Sequence, residues 1–407
     1  MEFNEVVEKR RTTRQEWTTT SDIRTAFATA KPHYEILDGL RGVAAALVVA
    51  FHLFETYSGG DHTRQIINHG YLAVDFFFVL SGFVIGYAYD DRWGKGMSVW
   101  TFLRRRLVRL HPMLVLGTLV GAAFFYFQTS DSFPLIAGTS PWKMLLVTAI
   151  CLTALPVGKA MDIRGWGETN PLNGPVWSLQ WEYLANVLYA TVVRRFGTKL
   201  LSAFVAVCGV LTILLCFDID LFGVLSERSY AAFTVIGGWA VTPDQLLVGA
   251  TRLLYPFFAG LLLSRLGWIV HVKRGGFAIV SAIVVAALAM PYFAPAAHPW
   301  VNGLYEAVAI LLLFPLAVSL GAGSKLSGET ESRICRFLGD LSYPLYITHF
   351  PFVYMQNAWA SNHPNATLAQ NMAVSVSGYL IAVAVAYAAL KLYDLPVRKW
   401  LARGLKK

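Results

Sequence analysis

The apolar run "EILDGLRGVAAALVVAFHLFE", residues 35–55, holds Asp38, Arg41 and His52. Ionisable side chains in hydrocarbon are costly, so each marks a functional position by default. His52 follows Arg41 by eleven residues, which at about 100° per residue is close to three full turns. The two side chains therefore share one helix face, roughly 16 Å apart along the axis. A neutral imidazole can take the proton of a hydroxyl or attack an acyl carbon as a nucleophile. The ordinary alternative is an interfacial Asp38–Arg41 ion pair and a histidine hydrogen-bonded to a neighbouring helix.

Other apolar runs add polar groups. "NGPVWSLQWEYLANVLYA" spaces Ser178, Glu182 and Asn186 four residues apart, on one helix face. "NHGYLAVDFFFVLSGFVIGYAY" carries His69 and Asp75, and Ser81-Gly82 is a small pair suited to close helix approach. "GDLSYPLYITHFPF" carries Tyr343, Tyr346 and His349, with Pro344 to bend the helix. Arg252 and Glu306 lie in two further runs and are candidates to pair. Depth along the helices predicts that His52, His349 and Glu182 meet in the outer half of a bundle, with Arg41 near its inner face. "TFLRRRLVRLHP" brings Arg104, Arg105, Arg106 and Arg109 together at helical spacing. Clustered guanidiniums bind phosphates, from either a phosphorylated ligand or anionic lipid head groups. Plain anchoring on the basic side of a membrane is the alternative.

These groups need elements to position them, and the composition says which kind. The chain has 407 residues, 56% hydrophobic and 14% charged, with a mean hydropathy of +0.50. Soluble domains carry about 25% charged residues, so an integral membrane protein is expected. Ten runs are long enough to span: about 36–57, 71–90, 108–128, 175–193, 200–217, 244–264, 275–294, 302–320, 337–357 and 369–391. The stretch 142–156 is too short and predicts a re-entrant or interfacial helix. With ten spans and a cytoplasmic N-terminus, 27 of the 34 Lys and Arg fall on the cytoplasmic side and five on the other. That asymmetry places both termini in the cytoplasm. It also accounts for the net charge of +9 without nucleic acid. Four scattered cysteines indicate neither a disulfide framework nor a zinc site, and no metal is expected. The external loops hold Trp166, Glu168 and Asn173, with Trp177 beside them, aromatic and polar groups of the kind sugars stack on and bond to.

The chain resembles the acyltransferase-3 family of bacterial membrane O-acyltransferases. The resemblance spans about 34–400 and rests on five segments in order: "LDGLRGVAA" with the Arg41–His52 spacing, "GYLAVDFFFVLSGF", "FLRRRLVRLHP", "VWSLQWEY" and "GDLSYPLYITH". Two segments depart from the family pattern. "WSLQWEYLAN" matches one of two adjacent glutamates, by Glu182, and "LYDLPVRKW" has Asp394 where glutamate is usual. The resemblance implies an all-α bundle of about ten transmembrane helices plus one short helix, in a bacterial cytoplasmic membrane. Its expected parts are a basic tail at 1–34, an acyltransferase domain at 35–393 and a tail at 394–407, with no fused hydrolase-like domain. It implies transfer of an acyl group, by default acetyl, from cytoplasmic acyl-CoA to a hydroxyl of an extracytoplasmic or lipid-linked sugar. Acyl-CoA is then a co-substrate, and no tightly bound cofactor is expected. His52 is general base or transient acyl acceptor, with Arg41, Glu182, Asp75 and His349 around it. Arg104, Arg105, Arg106, Arg109, Ser81, Tyr343 and Tyr346 face the donor, and Trp166, Glu168, Asn173 and Trp177 the acceptor. The rival from another class is a transporter of lipid-linked saccharides. On physics alone a buried polar path suits that equally well.

Overall fold

The computed structural model describes residues 33–272 and 275–404. Of the expected N-terminal tail only residues 33 and 34 fall within them, and Lys273, Arg274 and residues 405–407 fall outside. The helices are α1 (Glu35–Ser58), α2 (Ala73–Tyr89), α3 (Val99–Phe124), α4 (Pro141–Cys151), α5 (Val176–Thr191), α6 (Thr198–Cys216) and α7 (Pro243–Leu266). They continue as α8 (Gly276–Ala289), α9 (Trp300–Gly323), α10 (Glu329–Thr348), α11 (Phe350–Asn362), α12 (Leu368–Ala389) and α13 (Leu395–Arg403). Among the described residues there is no strand, only isolated bridges. Among the described residues seven helices are long and apolar enough to cross a membrane. The chain is an all-α integral membrane protein.

The ten expected runs all form helices, and their ends differ for physical reasons. α3 begins at Val99, nine residues before the apolar run, because Ser98 caps it by accepting from Thr101 N–H. All four clustered arginines are thereby wound into the helix. α8 is only 14 residues long, and α5, with 16, carries Glu182. The run 337–357 is interrupted at His349, where α10 stops and α11 begins. The break follows from Pro351, which has no N–H for the carbonyl of Ile347. Asn173 Nδ2 donates to that carbonyl instead, at 2.8 Å. The short helix expected near 142–156 is α4, with Pro141 at its first turn and Ser140 as its cap.

Small residues set the closest helix crossings. A Cβ on Gly82 of α2 would lie 1.8 Å from the carbonyl oxygen of Phe257, and one on Gly260 of α7 would lie 2.0 Å from that of Val79. The α2–α7 backbones therefore touch, as small residues allow in membranes. Likewise Gly42 of α1 lies against Leu338 of α10, and Gly339 against Asp38. This contact aligns α1 and α10 in parallel, so that His52 and His349 reach the same end. A π-helical turn at Ala309–Leu313 interrupts α9. Tyr255 OH caps its Leu311 carbonyl at 2.8 Å.

Candidate functional site

His52 lies near the end of α1 with its side chain 21% accessible. Its Nδ1 is 2.9 Å from Glu55 Oε2, one turn further along. A carboxylate only accepts, so Nδ1–H donates, and in the neutral ring Nε2 keeps its lone pair. The ring stacks on His349 at 5.5 Å between centroids, inclined by 25°. Phe350 stands edge-on to it at 4.9 Å. His349 is fully buried, and its Nδ1 faces the carbonyls of Tyr346 at 2.8 Å and Leu345 at 3.1 Å. Carbonyls accept, so here too Nδ1–H donates and Nε2 is the free base. That buried Nε2 has no partner among the described residues. Two imidazoles thus stand side by side, each oriented through Nδ1.

The carboxylate on His52 is Glu55, which the sequence reading did not select. The expected convergence of Glu182 on the histidines is corrected. Glu182 accepts from Arg106 Nη2 at 2.7 Å and from Ser81 Oγ at 2.8 Å. Asp75 does not orient His52 either. It is fully buried against Arg252, at 2.7 Å. The candidate Arg252–Glu306 pair does not form either. Arg252 also donates to the carbonyls of Tyr71 and Gly237, and Glu306 accepts from Tyr71 OH, Asn302 Nδ2 and Val235 N–H. Trp177 packs over Arg252, 5.1 Å from ring centre to guanidinium carbon. Tyr346 OH and Ser178 Oγ are 2.8 Å apart, and Tyr343 OH donates to the Leu110 carbonyl at 2.5 Å.

Arg41 and Asp38 pair at 3.3 Å, as the three-residue spacing predicts. At the same end of the bundle Arg109 lies within electrostatic reach of Arg41, Arg106 and Arg398. Arg106 is spent on Glu182, and Arg398 pairs with Asp394 at 3.4 Å. Arg109 remains accessible and forms no ion pair among the described residues. Arg104 approaches Gly404 beyond α13, and Arg105 is half-buried. Three of the four guanidiniums of Arg41, Arg106, Arg109 and Arg398 already hold a carboxylate, so among the described residues Arg109 is the one left to meet a further anion.

The loops between helices close the His52 end. Thr169 N–H donates to the Trp239 carbonyl at 2.7 Å, tying the 157–175 loop to the 234–241 loop. Glu168 is buried and accepts from Tyr354 OH at 2.5 Å. Burial pushes its carboxyl up to about 7, with Arg164 and the Tyr354 hydrogen bond opposing and the charges of Asp162 and Glu55 adding. Arg164, fully buried, sits over the Tyr354 ring, its guanidinium carbon 3.5 Å from the ring centre. Its own burial lowers it despite the nearby Tyr354, Glu168 and Asp162. A Cβ on Gly174 would lie 2.6 Å from both Glu168 Oε1 and Phe350 Cε1. Glu168 therefore lies near the phenyl ring that touches His52. Trp166 is partly exposed and donates to the Ser132 carbonyl at 2.8 Å. Among the described residues no three His, Cys, Asp or Glu side chains are placed to hold a metal ion.

The acyltransferase domain that defines the acyltransferase-3 family matches residues 34–391. The chain belongs to the acyltransferase-3 family. This acyltransferase-3 protein is a membrane-bound acyltransferase, and all the segments from "LDGLRGVAA" to "GDLSYPLYITH" lie inside the matched region. Acyltransferase MdmB of Streptomyces mycarofaciens is 29% identical over 335 residues, 77% of each chain. Protein 2 in the picA locus of Rhizobium radiobacter is 34% identical over 170 residues, 40% of this chain and 82% of that one. The peptidoglycan O-acetyltransferase OatA of Listeria monocytogenes is 24% identical over 345 residues, 78% of this chain. This chain covers about half of that relative's length, 49%. No solved structure matches the chain.

Proposed function

We propose that this acyltransferase moves an acetyl group from cytoplasmic acetyl-CoA to a sugar hydroxyl on the far side of a bacterial cytoplasmic membrane, with His52 as the general base. The observation that carries the reading is the His52–Glu55 pair at 2.9 Å, which leaves Nε2 as a base. His52 shares its helix with the Arg41–Asp38 pair at the opposite end. The relatives' names support acetyl as the acyl group and a glycan as the acceptor: OatA is named a peptidoglycan O-acetyltransferase.

The charge asymmetry of the sequence supports placing the arginine end in the cytoplasm. Arg109, Arg104 and Arg105 then hold the phosphates of the donor by charge-assisted hydrogen bonds, and Arg41 lies along the route of the thioester. At the other end His52 Nε2 takes the hydroxyl proton while the sugar oxygen attacks the thioester carbon. The tetrahedral adduct collapses, the carbon–sulfur bond breaks, and the imidazolium returns its proton to the departing thiolate. Glu55 stabilises the imidazolium between these steps, as a carboxylate does in hydrolase triads. His349, buried behind the His52 ring, stacks on it and keeps it aligned. Glu168 and Trp166 border the acceptor, and Asn173 holds the break in α10–α11 that sets His349.

Sealed vesicles with the cytoplasmic face outward test this. They carry the purified protein, labelled acetyl-CoA outside and glycan fragments inside. Label should appear on the enclosed glycan with the native protein and not with His52→Ala. Acetylation by His52→Ala near the native rate contradicts the role of the base. Movement of unmodified saccharide without label identifies a transporter instead.

A further inference from the structure

His69 has no part in the histidine centre, yet it is fully buried. Its Nδ1 faces the carbonyl of Met290 at 2.8 Å. A carbonyl only accepts, so Nδ1 carries a proton. Its Nε2 lies 3.0 Å from Asn302 Oδ1. That amide is oriented by its other end, where Nδ2 donates to the Phe233 carbonyl at 3.2 Å and to Glu306 Oε1 at 2.8 Å. Turning it over would set its oxygen against two others. Nε2 therefore faces an acceptor and carries a proton too. A ring that donates from both nitrogens is an imidazolium.

The surroundings favour a cation there on two further grounds. The first is charge balance. Asp75 holds Arg252 at 2.7 Å and Asp218 holds Arg228 at 3.6 Å. Glu306 is fully buried and takes hydrogen bonds from Tyr71 OH, Asn302 Nδ2 and Val235 N–H, but forms no ion pair among the described residues. A buried carboxylate without a counter-charge is expensive, and the second proton of His69, one amide away, supplies it. The second ground is a helix end. α8 ends at Met290, and the His69 backbone N–H donates to its Leu288 carbonyl at 3.1 Å. The ring thus sits where that helix presents free carbonyls and its partial negative charge.

This pair braces two sides of the reaction centre. A Cβ on Gly70 would lie 2.5 Å from Phe51 Cβ, so the residue after His69 bears on the residue before His52. Glu306 accepts from Val235 N–H at 2.6 Å and so pins the 234–241 loop, whose Trp239 carbonyl holds Thr169 next to Glu168. We infer that His69 stands doubly protonated as the counter-charge of Glu306, with Asn302 between them, and that this buried lock positions the end of α1 and the loops that close over His52. His69 is then a positioning residue for acyl transfer. That role rests on the proposed function, whereas the charge and the bracing are measured without it.

Solid-state NMR of the native protein in nanodiscs reads the charge. With 15N in histidine and 13C in methionine carbonyls, the ring is identified by its contact with Met290, because among the described residues no other histidine nitrogen bonds a methionine carbonyl. Both ring nitrogens should carry protons at pH 7, and one bare nitrogen overturns the inference. His69→Lys keeps the charge, whereas His69→Gln keeps only donors. Hydrogen exchange over 234–240 should quicken roughly tenfold or more in His69→Gln, as the loss of one partner of a buried pair implies, and stay near native in His69→Lys. In His69→Gln kcat should fall about tenfold with the donor KM unchanged, short of the hundredfold that a 1 Å misplacement can cost, and His69→Lys should recover most of it. Equal exchange and equal kcat in the two variants would deny the charge any role and overturn the lock. Should neither variant fold, the NMR decides. A bare nitrogen in a protein that acetylates normally defeats the lock alone. Two protonated nitrogens and the expected exchange in a protein that acetylates nothing support the lock and defeat the catalytic reading alone.

Discussion

Replacing Glu55 with glutamine removes one charge and changes little else. The amide keeps an oxygen that can accept from His52 Nδ1, so the 2.9 Å contact and the ring orientation should persist. What disappears is the anion that stabilises the imidazolium. A hydrogen bond to a charged group contributes roughly 1.5–3 kcal/mol, against about 0.5–1.5 for a neutral one. Glu55 is 39% accessible, so water screens part of that difference and about 1 kcal/mol is left. At about 1.4 kcal/mol per decade, kcat should fall roughly fivefold to tenfold. The KM of donor and acceptor should stay put, because Glu55 touches neither. Glu55→Ala also frees the ring to change tautomer and should cost more, about a hundredfold. A buried triad carboxylate, by comparison, is worth about 10⁴. Initial rates of ester formation in nanodiscs, with the unfolding midpoint measured alongside, give the answer. If Glu55→Gln works within twofold of native while His52→Ala is inactive, the carboxylate has no part in the chemistry. If Glu55→Gln is as inactive as His52→Ala and melts earlier, its role is structural.

The other predictions concern the ends of the bundle and its buried charges. Arg109→Gln should raise the acetyl-CoA KM at least tenfold and leave the acceptor KM alone, since the unpaired guanidinium contributes a charge-assisted phosphate contact. An unchanged donor KM would assign the arginines to lipid anchoring. Glu168 holds its proton more tightly folded, at about 7, than its ordinary 4.5, so its contribution to stability falls as pH rises between those values and stays low above them. Glu168→Gln should therefore raise the unfolding midpoint at pH 8 but not at pH 5, a differential of the order of 3 kcal/mol at most. Equal effects at both pH values would contradict the buried-carboxyl account. Asp75→Asn strands the Arg252 guanidinium and should destabilise by about 3–5 kcal/mol, whereas Asp75→Leu with Arg252→Met should recover most of it. Thermal unfolding in detergent would separate the two, and a harmless single variant would refute the pairing.

The spans were legible because hydropathy and helix length are local properties. α1 shows this best: the run 36–57 became Glu35–Ser58, and the eleven-residue spacing of Arg41 and His52 carried over directly. Partner choice was not legible, because it depends on which helices touch. Arg252 had two buried carboxylates within plausible reach, and the glycine-mediated α2–α7 contact selected Asp75 over Glu306. Glu182 was expected near the histidines, yet α5 crosses α3 at Arg106. Glu55 was overlooked although it closes the quoted run. A charge at the end of a span is ordinarily solvated, and only the side-chain geometry distinguishes a ligand for Nδ1 from an interfacial anchor. The break at His349 could have been found from Pro351, the residue that cannot bond back to Ile347.

The central claim is that His52 makes esters on surface glycans, and it can be measured without knowing the acceptor. Mass spectrometry of surface glycans would be compared between the native strain, a strain lacking this gene, and that strain carrying either the native gene or His52→Ala at equal membrane abundance. The account predicts a set of O-acetyl esters lost on deletion, restored by the native gene and still absent with His52→Ala. Esters restored to native levels by His52→Ala would contradict it.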